Sequence, residues 1–130
     1  EDYSEGKNLP EGWVPQTEFW IVAENKFMGQ VFLRHRLTPK LERYGGHIGY
    51  EIVKKQRHRG YGSFGLAAVL PHALELGLDR VLLTCDDNNV GSIKIIERCG
   101  GVLQDKVQNE GRPVTSRRYW INLRPLVVPD

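Results

Sequence analysis

Between Val53 and Phe64 the hydrophobic pattern changes its period, and few features constrain a small chain more tightly. Upstream, Gly45-Gly46 introduce His47-Ile48-Gly49-Tyr50-Glu51-Ile52-Val53, an alternating run that reads as a strand. Downstream, Phe64, Leu66, Ala67, Val69, Leu70, Ala73 and Leu74 recur at helical spacing as far as Gly77, a suitable C-terminal stop, with a kink expected at Pro71. The junction carries Lys54, Lys55, Arg57, His58 and Arg59, followed by Gly60 and Gly62. Unsatisfied N–H groups and the positive end of a helix dipole make such a junction an anion site, and the clustered cations suit a ligand with several phosphate charges.

The remaining segments surround this unit. Residues 1–16, with Gly6, Pro10, Gly12 and Pro15, read as an irregular lead-in. Phe19–Ala23 and Met28–Leu33 flank Glu24-Asn25-Lys26 as a hairpin, and with the strand at 47–53 they predict an antiparallel meander. Arg80–Cys85 is short and nearly all apolar, as in a strand buried on both faces, and is expected to lie parallel to 47–53 as a βαβ unit. Asp86-Asp87-Asn88-Asn89 offer caps for a short helix over 90–99, and strands at about 102–108 and 114–123 flank a turn at Asn109-Glu110-Gly111. The predicted order is βββαβαββ, an α/β (α+β) sandwich of mixed sheet and helices.

At 130 residues this is one domain, 1–130, with a net charge of +2, too small for a general nucleic-acid binder. Cys85 and Cys99 lack disulfide or metal-ligand spacing and read as free core thiols, so no metal is expected. No run is long and apolar enough to span a bilayer and the acidic start is no signal peptide, which makes the cytoplasm the simplest compartment.

The glycines admit rival readings. A surface turn with solvated cations needs no ligand at all. Gly60-x-Gly62-x-x-Gly65 spells the dinucleotide fingerprint, with Asp86 at the end of the next strand. Against a nicotinamide site stand the polar, mostly basic stretch between Val53 and Gly60, the three antiparallel strands ahead of it, and too little chain after Asp86 for further βαβ units. A Walker loop is excluded because no Gly-Lys-[Ser/Thr] occurs.

Two segments carry a family resemblance. Arg57-x-x-Gly60-x-Gly62 is similar to the [Gln/Arg]-x-x-Gly-x-[Gly/Ala] signature of GNAT acetyltransferases, and Asn89-Val90-Gly91-Ser92 with the helix to Gly100 resembles their later Asn-x-x-[Ala/Ser] motif. The resemblance covers roughly residues 17–123 and looks nearest to a bacterial subgroup of acetyltransferases without an established acceptor. It implies a centrally splayed mixed sheet with helices on both faces, acetyl-CoA as cosubstrate, and direct transfer of the acetyl group to a primary amine of a small molecule, peptide or protein. In its terms the backbone of Ile52 and Val53 holds the acetyl carbonyl and the pantetheine. Arg57, His58, Arg59, Gly60, Tyr61, Gly62 and Ser63 bind the pyrophosphate, and Asn89 and Ser92 reach the pantetheine or nucleotide end. His47 takes the place of the family's usual Glu base, with Glu51 as second candidate, and Ile96 stands where the family places its Tyr general acid.

The resemblance also implies a first strand and helices that are expected to be missing here, through truncation or replacement by another element, and an exposed sheet edge of that kind favours a homodimer. Trp20, Arg34, His35, Arg36, Tyr44, Tyr119 and Trp120 are candidates for the acceptor wall, with Arg34-His35-Arg36 suggesting an anionic acceptor group. A catalytically silent acyl-CoA-binding module, a dinucleotide-binding protein and an interaction protein with a vestigial loop remain as alternatives.

Overall fold

The computed structural model describes residues 14–123 and Pro129. The lead-in over residues 1–13 lies outside them. Strands β1 (Gln16–Ala23), β2 (Lys26–Arg34) and β3 (Ile48–Ile52) form one antiparallel sheet in that order. Glu24 and Asn25, at φ 53° and 62°, make the two-residue turn with both central residues left-handed, the geometry whose twist matches paired strands.

Between β2 and β3 lies a short helix, α1 (Pro39–Arg43), that the apolar pattern does not announce. Its signal is Thr38-Pro39: the Thr38 hydroxyl accepts from the Leu41 N–H at 3.2 Å and Pro39 occupies the first turn, where its missing donor costs nothing.

A single turn of 3-10 helix at Lys54–Gln56 leads from β3 toward α2 (Tyr61–Glu75). Pro71 sits inside α2, which runs on for about a turn beyond it before Gly77, at φ 91°, ends it. The close fit of α2 onto the first sheet comes from Gly65, where a β-carbon would lie 2.7 Å from both Ile21 Cδ1 and Val31 Cγ2. Leu66, Val69 and Ala73 bury the same face against Ile21, Val31 and Leu33. Fully burying a Leu or Val stabilises by roughly 1.5–3 kcal/mol, so this face anchors the helix.

Strand β4 (Arg80–Asp86) does not extend the first sheet. It pairs antiparallel with β6 (Ser116–Asn122), whose other edge takes β5 (Val102–Val107), giving a second sheet ordered β4-β6-β5. β3 and β4, expected as neighbours in a βαβ unit and splayed apart at the centre of the sheet, share no ladder: the splay is complete enough to leave two separate sheets. Val81, Leu83, Tyr119 and Ile121 supply its buried face, and Tyr119 is fully enclosed. Helix α3 (Val90–Arg98) follows β4, capped by Asn89 Oδ1 on the Ser92 N–H at 3.1 Å, and buries Ile96. Among the described residues no helix is long and apolar enough to cross a membrane.

Candidate functional site

The two sheets meet at one point and then part. The His47 N–H donates to the Leu82 carbonyl at 2.7 Å, the Leu82 N–H donates back to His47 Nδ1 at 2.9 Å, and the Gly45 N–H reaches Thr84 Oγ1 at 2.8 Å. Arg34 braces this clasp from β2, its Nη1 donating at 3.2 Å to the carbonyls of Gly45 and Gly46. Beyond the clasp β3 and β4 diverge, and a cleft of about 940 Å³ opens between them.

Hydrogen-bond parity decides what the walls of the gap offer. In an antiparallel pair only alternate residues bond to the partner. On β3 the bonded series runs through His47, which accepts from the Arg34 N–H, to Val53, which donates to the Met28 carbonyl at 2.9 Å. The N–H and C=O groups of Ile48, Tyr50 and Ile52 consequently point away from β2, across the gap. On β4 the Asp87 N–H bonds to the Thr115 carbonyl, so Leu82 and Thr84 are the residues facing back. One edge of the cleft is thus an unpaired strand edge able to accept an extended ligand as an added strand.

This geometry separates the two expected backbone contacts. Ile52 lies on the open edge and lines the cleft, its carbonyl also accepting from Arg57 Nε at 3.2 Å. Val53 is turned the other way: its N–H is held by Met28 and its carbonyl accepts from the Gln56 N–H at 2.8 Å. Tyr50, not Val53, shares the open edge with Ile52. The alternation was visible in the sequence, but which parity faced β2 depended on a register that only the folded hairpin sets.

At the wide end, Gly60 adopts φ 87° at the N-terminus of α2, where no side chain caps the helix. Gly60, Tyr61, Gly62 and Ser63 line the cleft, presenting the first N–H groups of α2, which have no intrahelical partner. Arg57 and His58 join them, His58 in the left-handed region at φ 65°, whereas Arg59 is exposed outside the lining. Gly62 is packing as much as loop, since a β-carbon there would approach Ile95 Cδ1 at 2.8 Å. Lys94 and Arg98 line the opposite side from α3. Their i, i+4 spacing put them on one helix face and was the signal that sequence reasoning left unused. Arg57 from the loop, Lys94 and Arg98 from α3 and the N-terminus of α2 therefore line one cleft, a setting that suits a polyphosphate.

Asn89 and Ser92 both line the cleft from the first turn of α3. Asn89 commits Oδ1 to capping, which leaves its amide N–H groups for a ligand. Ser92 Oγ lies 2.6 Å from the Tyr50 hydroxyl, a bond that spans from β3 to α3. Tyr50 is half-buried, and that burial, more than any neighbour, raises its phenol above the ordinary range. Cys85 lines the same wall, its thiol pushed up by burial to about 11 and therefore held protonated.

His47 stands apart from the cleft lining. It is 5% exposed, its Nδ1 is occupied by the Leu82 N–H, and burial together with the Arg34 charge pulls the imidazole down to about 4. It works as the peg of the clasp, and a neutral ring is what that peg needs. Glu51 is exposed and lines the cleft on the face opposite α2, alongside Gly49 and Phe32. Among the acceptor-wall candidates, Arg34 and Tyr44 line the cleft. His35 Nε2 instead contacts Thr17 Oγ1 at 2.8 Å, Tyr119 is core with its hydroxyl on Glu97, Trp120 lies beneath Arg80, and Trp20 is 70% exposed on β1. Within the Arg34-His35-Arg36 run, Arg34 and His35 thus bond to different partners, and Arg36 is exposed outside the cleft lining.

The clasp carries a pH dependence. The unfolded His47 takes up a proton below about 6.5, but the folded one resists until about 4, so stability is complete above pH 6.5 and is lost as pH falls toward 4. The shift corresponds to about 3 kcal/mol. Urea denaturation of the wild type at pH 7 and pH 4.5 is expected to show most of that loss, and His47→Gln is expected to abolish that part of the dependence. Asp87 and Asp105, held below the usual carboxylate range by hydrogen bonds from Arg117 and Arg118, contribute their acid sensitivity at lower pH. A wild-type midpoint flat between these two pH values would contradict the assignment.

The model of the acetyltransferase (GNAT) domain family matches residues 4–102. No curated protein matches the chain. Among solved structures, a spermidine N-acetyltransferase SpeG mutant from Vibrio cholerae superposes with a TM-score of 0.67 at 19% identity, covering 83% of this chain and 66% of its own. RimL, a ribosomal L7/L12 alpha-N-protein acetyltransferase in complex with coenzyme A, gives 0.67 at 18% identity over 82% of this chain and 62% of that one. A Bacillus anthracis protein assigned as a streptothricin acetyltransferase, in complex with acetyl coenzyme A, gives 0.66 at 20% identity over 92% and 67%. At these identities the likeness is one of fold, and the chain spans about two thirds of the length of these structures.

Proposed function

Since the chain belongs to the GNAT acetyltransferase family, we propose that it binds acetyl-CoA in the cleft between β3 and β4 and transfers the acetyl group to the nitrogen of a primary amine. The observation that carries this reading is the combination, in one cleft, of an open strand edge at Tyr50 and Ile52 with the uncapped N-terminus of α2. A pantetheine arm has two amides spaced along an extended chain, and pairing with a strand edge satisfies both while aiming the thioester toward the narrow end. The pyrophosphate then falls among the N–H groups of Tyr61, Gly62 and Ser63, with Arg57, His58, Lys94 and Arg98 around it.

Transfer needs a neutral amine beside a polarised carbonyl. Backbone N–H groups on the open edge of β3 polarise the thioester oxygen. Glu51 is the carboxylate on the acceptor side of the cleft and serves as the base that takes the ammonium proton through water, in place of His47, whose ring is committed to the clasp. Holding the reactants in line supplies much of the remaining rate.

Release of free CoA from acetyl-CoA, followed with a thiol reagent across a panel of primary amines that includes polyamines, peptide N-termini and anionic amino sugars, is expected to identify at least one acceptor. Binding of acetyl-CoA without release above the no-enzyme rate for any amine would favour the silent acyl-CoA-binding module instead.

A further inference from the structure

The leaving group of the proposed transfer is a thiolate, and the residue that the family resemblance designates to protonate it is absent: Ile96 is 1% exposed in the core. We infer that Tyr50 is the general acid, delivering its phenolic proton to the departing sulfur, with Ser92 as the group that reprotonates it. The inference rests on the acetyl-CoA reading of the cleft.

Five observations place it there. The backbone of Tyr50 faces the gap, so a thioester paired to the β3 edge lies beside this residue. Its ring leaves the strand on the α2 side and crosses to α3, where the hydroxyl meets Ser92 Oγ at 2.6 Å, and both residues line the cleft. Ser92 stands in the first turn of α3, where the helix dipole favours a transient phenolate. The other described tyrosines are engaged elsewhere: Tyr119 bonds to Arg117 and Glu97, Tyr44 lies under Arg112, and Tyr61 belongs to the phosphate end. Burial keeps the Tyr50 phenol protonated at neutral pH and so loaded for donation.

The step balances as follows. The amine nitrogen attacks the thioester carbon and forms the C–N bond. The C–S bond breaks with its electron pair going to sulfur, and the Tyr50 O–H proton moves to that sulfur to give the CoA thiol. The phenolate takes a proton from the Ser92 hydroxyl, which recovers one from water. The surplus proton on the acylated nitrogen leaves to water by way of Glu51.

Tyr50→Phe and Ser92→Ala delete the same hydrogen bond from opposite ends, which separates a chemical role from a structural one. With the fastest amine from the panel, Tyr50→Phe is expected to lower kcat on the order of 100-fold. Its calorimetric Kd for acetyl-CoA should stay within about twofold of wild type, because the pairing backbone is untouched. Ser92→Ala keeps the acid and breaks only the relay, so its loss is expected to be about tenfold smaller. The solvent deuterium isotope effect on kcat should fall toward unity in Tyr50→Phe alone. Equal and small losses in the two variants, or a wild-type kcat in Tyr50→Phe, would overturn the inference while leaving the acetyltransferase reading intact. A wild-type chain that binds acetyl-CoA but acetylates no amine would remove both.

Discussion

Replacing Gly46 with alanine is expected to remove a large fraction of the stability of the fold. Gly46 holds φ 64°, and a β-carbon there would lie 2.3 Å from the Leu82 carbonyl oxygen, 2.9 Å from its carbon and 3.2 Å from Leu83 Cα. Every one of those atoms is backbone in β4, so no rotamer change relieves the overlap. The carbonyl that would be displaced is also the one accepting from the His47 N–H, so the clasp opens at the point where the two sheets join. A left-handed alanine alone costs roughly 1–2 kcal/mol, and forced movement of the β4 backbone, whose Leu82 and Leu83 are buried, brings the total to about 4 kcal/mol or more. Against a total stability of roughly 5–15 kcal/mol, that is a large fraction. Gly77→Ala is the control, because Gly77 has φ 91° but no atom within 4 Å of its would-be β-carbon. Its expected cost is the conformational part only, about 1–2 kcal/mol. Urea midpoints compare the two, and equal losses would mean that the β3–β4 clasp is loose.

The second large effect is on binding. Gly60 has φ 87° and open space around it, so Gly60→Glu is tolerated sterically with a strain of roughly 1–2 kcal/mol. It nevertheless sets a carboxylate at the N-terminus of α2, where the pyrophosphate is proposed to sit. Repulsion of like charges and competition for the same N–H groups are expected to weaken acetyl-CoA binding on the order of 100-fold, or about 2.7 kcal/mol. Gly60→Lys imposes the same strain with the opposite charge and is expected to lose much less. Circular dichroism verifies that both variants fold, and calorimetry reads the affinities. Equal affinities in the two variants would show that charge at this loop is irrelevant.

Much of this arrangement was legible from residues alone. Two-residue alternation from His47 to Val53, followed by the helical spacing after Tyr61, located β3, the loop and α2, because each depends on local periodicity. Asn89 announced α3 through its capping chemistry. The pairing of β4 was not legible: an all-apolar run is compatible with burial beside either β3 or β6, and the choice is made by contacts far apart in sequence. His47 illustrates the same limit. Its type suggested a base, but its role comes from the Leu82 N–H, 35 residues away, and nothing local encodes that contact. The Tyr50–Ser92 bond, across 42 residues, was hidden for the same reason.

The glycine fingerprint was ambiguous as a string and is resolved as three separate functions. Gly60 makes the left-handed turn, Gly62 admits Ile95 of α3, and Gly65 admits Ile21 and Val31 of the first sheet. A dinucleotide fold uses its glycines in related ways, which explains why the spelling coincides. The difference lies in what precedes the loop. In this chain it is a strand with one open edge, and that edge calls for a ligand with an extended amide arm.

Calorimetric titration of the wild-type chain with acetyl-CoA and, separately, with NAD tests this most directly. Saturable one-to-one binding of acetyl-CoA with no detectable heat from NAD is the predicted result. Preferential binding of NAD, or no binding of acetyl-CoA, would contradict the assignment of the cleft.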